Sequence, residues 1–175
     1  LNPKYNKDEE DYKVPPIIHH VMINWNKPIP ETWKQAADAC KQIHPDYVFM
    51  DWDDESAESF IREEHPDFYS TWVNYKYPIQ RADSLRYLLL YTYGGIYLDM
   101  DLQCRRSLDP LRKFNFVSPE ANPVGITNAF MISSPKNEFM KSLVKDLANF
   151  DHWYFIPYGT VMFSTGCMFT SAKYT

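Results

Sequence analysis

The sequence predicts an α/β domain with a mostly parallel central sheet, and three observations carry that expectation. Short β-branched runs at residues 17–23 and 47–50 alternate with segments whose apolar residues recur at helical spacing. The resulting strand–helix–strand–helix order is that of parallel strands joined by crossover helices. A third, very short strand at residues 96–99 then follows directly on a long helix that stops at Gly94-Gly95.

Taken in order, residues 1–15 are polar and charged and read as a flexible arm ending at Pro15-Pro16. Residues 16–175 form a single domain, which ends inside a structured element and so reads as truncated at its C-terminal end. Pro30-Glu31-Thr32-Trp33 opens a helix in which Trp33, Ala36, Ala37, Cys40 and Ile43 lie at helical spacing, and Pro45 ends it. After the second strand, Asp51, Asp53 and Asp54 read as a strand-end turn and helix cap. The helix they open covers 55–64 and is stopped by Pro66. Residues 78–93 give the clearest helix, with Pro78 at its start and Ile79, Ala82, Leu85, Leu89 and Tyr93 on the helical period. Pro119 to Pro123 reads as a turn, 127–133 as a strand and 136–150 as an amphipathic helix presenting Phe139, Leu143, Leu147 and Phe150. The final apolar stretch, 158–172, is broken by Ser164-Thr165-Gly166.

Composition narrows the function classes. The net charge is −5, with 18 basic against 23 acidic residues, which argues against nucleic acid as a partner because a phosphate backbone calls for a basic face. Aromatic residues make up 17% of the chain, including 13 Tyr. Rings with a polar handle suit surfaces that are part apolar and part wet, as sugars are, and equally suit a large aromatic core. Cys40, Cys104 and Cys167 have no metal-binding spacing; one disulfide with a spare thiol and three buried thiols both fit. No run of about 18 apolar residues, the length that spans a bilayer, occurs.

The chemistry lies in Gln80-Arg81-Ala82-Asp83-Ser84-Leu85-Arg86-Tyr87 and Tyr93-Gly94-Gly95-Ile96-Tyr97-Leu98-Asp99-Met100-Asp101. Residues two apart in an extended segment project to one side, so Asp99 and Asp101 can face one cation. Hard Mg²⁺ or Mn²⁺ takes oxygen ligands, often one or two carboxylates together with substrate phosphates. A diphosphate leaves poorly unless its developing charge is neutralised, and such an ion does that. A helix–loop–helix calcium site does not fit, since Cys104 stands where its turn glycine belongs and Pro110 where its last glutamate belongs. An aspartyl-phosphate phosphotransferase would want a long apolar strand ahead of the aspartates, where Gly94-Gly95 stands. On the helix, Gln80, Asp83 and Tyr87 share a face, with Arg86 one turn from Asp83. Asp83 could accept from sugar hydroxyls and Arg86 could fork onto a phosphate, although spacing alone favours a helix-surface ion pair of little energetic worth. Gly94-Gly95 could admit a ligand to the backbone, with helix termination as its ordinary role. His19 and His20 face opposite sides of a strand and read as hydrogen-bonding residues rather than ligands of one ion. Asp51 could touch a nucleotide.

The run from Arg81 to Asp101 closely resembles the Asp-x-Asp sugar-binding region of glycosyltransferase family 32. The resemblance extends over almost the whole chain from Pro16. His44-Pro45-Asp46-Tyr47, Tyr75-Lys76-Tyr77-Pro78-Ile79, Leu108-Asp109-Pro110-Leu111, Trp153-Tyr154-Phe155-Ile156-Pro157-Tyr158 and Ser164-Thr165-Gly166 look like the branch formed by catalytic subunits of mannosyl-inositol-phosphorylceramide synthases. The resemblance implies a GT-A-like, Rossmann-like nucleotide-sugar-binding fold, retention of anomeric configuration, and Mn²⁺ or Mg²⁺ as cofactor. It implies a nucleotide-sugar donor, GDP-mannose, and a glycolipid acceptor of the inositol-phosphorylceramide type, with a regulatory subunit as a further partner. Within the same family, UDP-galactose as donor or an N-glycan as acceptor is the alternative, and a non-catalytic carbohydrate- or lipid-binding module the rival from another class. Residue by residue, it assigns Asp83 and Arg86 to the donor sugar, Asp99 to ribose, sugar or metal, Asp101 to the metal, and places Tyr97 and Asn128 beside the donor. Many relatives carry Trp in the first strand to stack on the base; here that position is Met22, and Trp25 is the nearest substitute. Relatives also supply a further metal or phosphate contact from a segment beyond this chain's end. A Golgi lumen location, with a membrane anchor in a segment not present in this chain, is implied in the same way.

Overall fold

A computed structural model describes residues 11–122 and 124–174. Residues 1–10 of the expected arm, and Pro123 of the expected turn, lie outside the described residues. Five strands form one sheet: β1 (Ile17–Val21), β2 (Val48–Trp52), β3 (Gly95–Leu98), β4 (Phe116–Val117) and β5 (Phe130–Ser133), in spatial order β2-β1-β3-β5-β4. β1 pairs in parallel with β2 and with β3, as the crossover order foresees. β5 then runs antiparallel to β3, and β4 antiparallel to β5. From β1 the chain moves first to one neighbour, β2, and then to the other, β3. The carboxyl ends of β1 and β3 therefore flank the kind of switch point at which open α/β sheets bind ligands.

The sheet is covered on both faces. Alternate strand residues Ile18, Ile96, Leu98 and Ile132 join one apolar cluster with Val14, Cys40 and Cys104. Tyr97 and Met131 join the other, larger cluster with Leu85, Leu88 and Leu89 of α4 (Pro78–Tyr93). The first cluster includes Cys40 of α1 (Glu31–Ile43), whose Sγ is bonded to Cys104 across a sequence separation of 64. This settles the cysteines as one disulfide, with Cys167 left free.

α4 is buried nearly all round, from Gln80 and Asp83 through Leu90, as a helix at the centre of a layered core must be. It ends where Gly94 takes φ 66 and Gly95 φ 102. A Cβ on Gly94 would lie 2.6 Å from Pro135, and one on Gly95 2.8 Å from the Ile17 carbonyl oxygen. Protein, not ligand, occupies the space these glycines leave, so they serve the helix–strand junction.

Several sequence expectations need correction. Pro66 does end α2 (Asp54–Glu64), but it also begins α3 (Pro66–Asn74), which periodicity alone did not mark. Proline lacks only an N–H that the first turn would leave unpaired anyway, so it can open a helix where it closes another. The helix expected at 136–150 is shorter, α5 (Glu138–Asp146), capped by the Asn137 side chain; Phe150 lies past its end and packs on Phe169 at 5.1 Å. The strand expected at 127–133 is regular only as β5; residues 127–129 form a loop. Ile79, placed on the apolar stripe, is 50% exposed. The final apolar stretch is two helices, α6 (Pro157–Ser164) and α7 (Cys167–Tyr174). At the other end Val14 is fully buried, and the Lys13 and Val14 amides donate to the Arg112 carbonyl, so the end of the expected arm belongs to the fold.

The disulfide closes a loop of 64 residues, the range in which loop-closure entropy is worth about 4 kcal/mol. Replacing Cys40 and Cys104 together by Ala is expected to lower the unfolding free energy by roughly 2–4 kcal/mol in urea titrations. A loss below about 0.5 kcal/mol would show that the crosslink does not restrain the unfolded chain.

Candidate active site at the carboxyl end of β3

The site is assembled by α4, the turn after β3, the loop before β5 and the start of α7. α4 fixes its own entry: the Tyr77 amide donates to Gln80 Oε1 at 3.0 Å, and Gln80 Nε2 donates to Ser164 Oγ at 2.8 Å. Asp83, Arg86 and Tyr87, three and four residues apart, then share one face of this helix.

Asp83 and Arg86 are not a surface pair. Arg86 Nη2 lies 2.8 Å from Asp83 Oδ1, and their side chains are only 6% and 7% exposed. Arg86 Nη1 donates to the Asn128 carbonyl at 2.8 Å and to Asp99 Oδ1 at 3.3 Å, and the guanidinium lies over the Tyr97 ring at 4.5 Å. Asn128 Nδ2 donates to Asp83 Oδ1 and to the Tyr87 hydroxyl, and Thr165 Oγ1 donates to Asp83 Oδ2 at 3.2 Å. Tyr87 donates to the Thr165 carbonyl at 2.6 Å. One buried cation thus ties two carboxylates from separate elements to the loop carrying Asn128. Among the described residues its Nε finds no partner, an unmet donor of a kind that native cores hold to a few.

Asp99 and Asp101 do not sit in an extended strand. β3 ends at Leu98, and the Leu102 amide donates back to the Asp99 carbonyl at 3.0 Å, which makes residues 99–102 a turn. The two-residue alternation expected for these acids therefore does not apply. Asp99 Oδ1 is held by Arg86 and by the buried Tyr97 hydroxyl at 2.6 Å, while Asp101 is exposed. Tyr97 is 2% exposed and acts by orienting Asp99. Among the described residues no three His, Cys, Asp or Glu side chains converge on one point. Two carboxylates on one tight turn nonetheless match the protein share that Mg²⁺ or Mn²⁺ takes when substrate phosphates complete its shell.

Asp83 and Asn128 reach the floor of a cavity of about 560 Å³, walled by Tyr77, Pro78, Tyr158, Met162 and Cys167. Among its described lining residues Asp83 is the sole carboxylate. Its floor is polar and its walls apolar, the arrangement that orients a small ligand through a few fixed groups.

Burial pushes the Asp83 carboxyl up to about 6, against the pull of the Arg86 charge and the Thr165 and Asn128 hydrogen bonds. Burial works against the Arg86 charge too, but the oxygens of Tyr97, Asp83 and Asp99 raise its pKa above the ordinary value. The other sequence candidates lie elsewhere. His19 is buried between the Gly94 carbonyl and Trp52 Nε1, with burial lowering its pKa to about 4, so it is neutral at pH 7. His20 bonds Asp51, whose carboxyl that contact holds below its usual range. Asp53 caps α2 and Asp54 receives the Asn24 amide. Trp25 lies 4.7 Å from Trp33, ring to ring, and is 37% exposed. Tyr87, which spacing already put on the Asp83 face, joins the site, and Thr165 completes it without having been singled out as a site residue; the polar break Ser164-Thr165-Gly166 in an apolar run was the available signal.

Removing Arg86 should expose how these charges are balanced. Arg86→Met leaves Asp83 buried without its cation and is expected to cost about 3–5 kcal/mol at neutral pH. A carboxyl whose folded pKa lies above its unfolded value binds its proton more tightly when folded, so its contribution is favourable at low pH and lost as pH rises from 3.8 through about 6. Chemical denaturation of the variant should therefore recover part of the loss at pH 5. Equal losses at pH 5 and pH 7 would mean that Asp83 is not the uncompensated group.

Known proteins share this framework. Mannosyl phosphorylinositol ceramide synthase SUR1 of Saccharomyces cerevisiae is 45% identical over 158 residues, which are 90% of this chain and 41% of that protein. Inositol phosphoceramide mannosyltransferase 1 of Schizosaccharomyces pombe is 37% identical over 166 residues, 93% of this chain and 51% of that protein. The chain thus spans about half the length of these relatives. Among solved structures, the PaToxG glycosyltransferase superposes with a TM-score of 0.67 at 19% identity, covering 91% of this chain and 67% of that one. The UDP-bound glycosyltransferase domain from the YGT toxin does so with a TM-score of 0.68 at 10% identity, over 93% and 77%. These likenesses establish the GT-A fold. Residues 30–117, from α1 through Asp99 and Asp101 to the end of β4, match the glycosyltransferase sugar-binding region containing the DXD motif, and the chain belongs to that family.

Proposed function

We propose that this chain contains the donor-binding half of a retaining, metal-dependent glycosyltransferase that moves mannose from GDP-mannose to a glycolipid of the inositol-phosphorylceramide type. The observation that carries the reading is the buried Asp83–Arg86–Asp99 network, which joins the cavity floor to the acidic turn at a sheet switch point. The names of the yeast relatives support the sugar and the acceptor class.

Each residue then has a chemical task. Asp83, with Asn128 beside it, presents acceptors and donors to sugar hydroxyls on the cavity floor. Arg86 holds a fixed positive charge between that floor and Asp99, where the donor's diphosphate gathers negative charge on departure. Asp99, oriented by Tyr97, and Asp101 would hold Mn²⁺ or Mg²⁺. When bound, that ion supplies Lewis-acid neutralisation of the diphosphate. Both oxygens of Asp83 already have protein partners, so it is poorly placed as a nucleophile. That favours delivery of the acceptor on the face from which the diphosphate leaves, the diphosphate helping to take the acceptor's proton.

The Cys40–Cys104 disulfide supports an oxidising, Golgi lumen location. Among the described residues no helix is long and apolar enough to cross a membrane. Membrane attachment through another segment, and a regulatory subunit, belong to the same reading. The UDP-bound neighbour favours a second reading, a UDP-sugar donor, and Trp25 in place of a first-strand Trp leaves the base contact to be tested.

The test is a donor screen with and without Mn²⁺, comparing GDP-mannose with UDP-sugars, on wild type and Asp101→Ala. Asp101 is exposed, so the variant should keep its melting temperature, yet it should lose transfer by roughly a hundredfold or more together with Mn²⁺-dependent donor binding. Undiminished transfer by Asp101→Ala in chelator would sink the metal role, and turnover of UDP-sugars alone would replace GDP-mannose.

A further inference from the structure

The cavity that receives Asp83 has a mouth unlike its floor. Between α5 and the first turn of α6 the chain displays four large side chains: Trp153 is 53% exposed, Phe155 90%, Ile156 57% and Tyr158 72%. Tyr158 also walls the cavity, beside Pro157 and the half-exposed Ile79. Isolated exposed apolar residues are ordinary, but four within six residues, leading into a cavity wall, mark an interaction site.

This loop is held in place. Phe155 has φ 63, a region that costs a residue with a side chain, and the Ile156 amide closes back onto the Tyr154 carbonyl at 2.7 Å around it. The Tyr154 amide donates to Thr160 Oγ1 at 3.0 Å, and the Thr160 amide and hydroxyl donate to the Ile156 carbonyl. Gly159 lies beneath, where a Cβ would meet the Tyr154 carbonyl at 3.0 Å and Ile156 at 3.1 Å. The protein therefore sustains backbone strain to hold Phe155 in solvent.

We infer that the loop 153–158 is a membrane-docking surface whose apolar side chains enter the headgroup–acyl boundary of a lipid bilayer. Three features select a bilayer over a protein partner. Trp153 and Tyr158 flank Phe155 and Ile156, and amphipathic rings around aliphatic and phenyl groups are the pattern of an interfacial belt. Lys76 Nζ lies 4.6 Å over the Trp153 ring, a cation at the level where lipid phosphates lie. Asp151, exposed beside the loop, offsets that charge, so attraction is chiefly apolar and only weakly salt-dependent. Third, the loop ends at Pro157 and Tyr158, which wall the same cavity as Asp83, so a lipid headgroup could enter the cavity while its chains stay in the bilayer. This last link rests on the glycolipid-acceptor reading; the docking itself does not.

Flotation of the full chain with phosphatidylcholine vesicles, with and without phosphatidylinositol, tests it. Wild type should float with both, little affected by salt. Phe155→Ser with Ile156→Ser should partition roughly ten- to hundredfold less, with unchanged melting temperature and unchanged nucleotide-sugar binding. Equal flotation of the double variant, or no flotation of wild type, overturns the proposal. So does concentration-dependent self-association that the double variant abolishes, since that would assign the loop to a second copy of the chain. If vesicles bind but no lipid ever accepts sugar, the acceptor reading fails while docking stands.

Discussion

A single buried guanidinium organises the functional half of this molecule. Arg86 cannot be left without partners where it lies, because an uncompensated charge in a protein interior costs several kcal/mol. The chain meets that demand by converging three elements on it: Asp83 from the same helix, Asp99 from the turn after β3, and the Asn128 carbonyl from the loop before β5. Each contact is also a positional constraint on a residue assigned to the donor. The electrostatic requirement and the geometry of the proposed donor site are thus one requirement, and the scaffold is arranged around it.

That requirement explains otherwise unrelated features of the fold. α4 must be buried on nearly all sides to carry Asp83 and Arg86 at the centre of the domain, and its polar side chains must then be answered from elsewhere. The two C-terminal helices supply the answers. Ser164 meets Gln80, Thr165 meets Asp83, and Thr170 meets the Tyr87 hydroxyl. The polar interruption in the last apolar stretch is the complement of the polar face of α4. At the other end of that helix, Gly94-Gly95 lets the chain reverse within two residues, which places β3, and hence Asp99, within reach of Arg86.

The mouth of the cavity obeys a different rule. Its floor carries Asp83 with both carboxyl oxygens partnered, whereas the loop beside its mouth is largely apolar and exposed, braced by hydrogen bonds to Thr160 and strained at Phe155. A pocket that changes character over so short a distance suits a ligand that changes character in the same way, a polar head on an apolar body. On the two readings proposed above, sugar chemistry would lie below and lipid contact above on this one surface.

Sequence by itself determined the elements whose signal is local. The period of 78–93, the paired glycines after it and the alternating strands and helices fix the α/β architecture, because hydrophobic spacing and backbone permissiveness act within a few residues. The matching motifs marked Asp83, Arg86, Asp99, Asp101 and Asn128 as a set. What the sequence could not carry was everything that depends on residues far apart in the chain. Spacing made Asp83–Arg86 look like a surface pair; only packing against α6, α7 and the sheet removes it from water. Alternation made Asp99 and Asp101 look extended; the turn that closes on Leu102, and the hold of Tyr97 and Arg86 on Asp99, bend them into another geometry. The disulfide partner of Cys40, 64 residues away, and the strained loop at Phe155 were likewise decided by tertiary structure, since burial and crosslinking are set by which surfaces meet rather than by which residues adjoin.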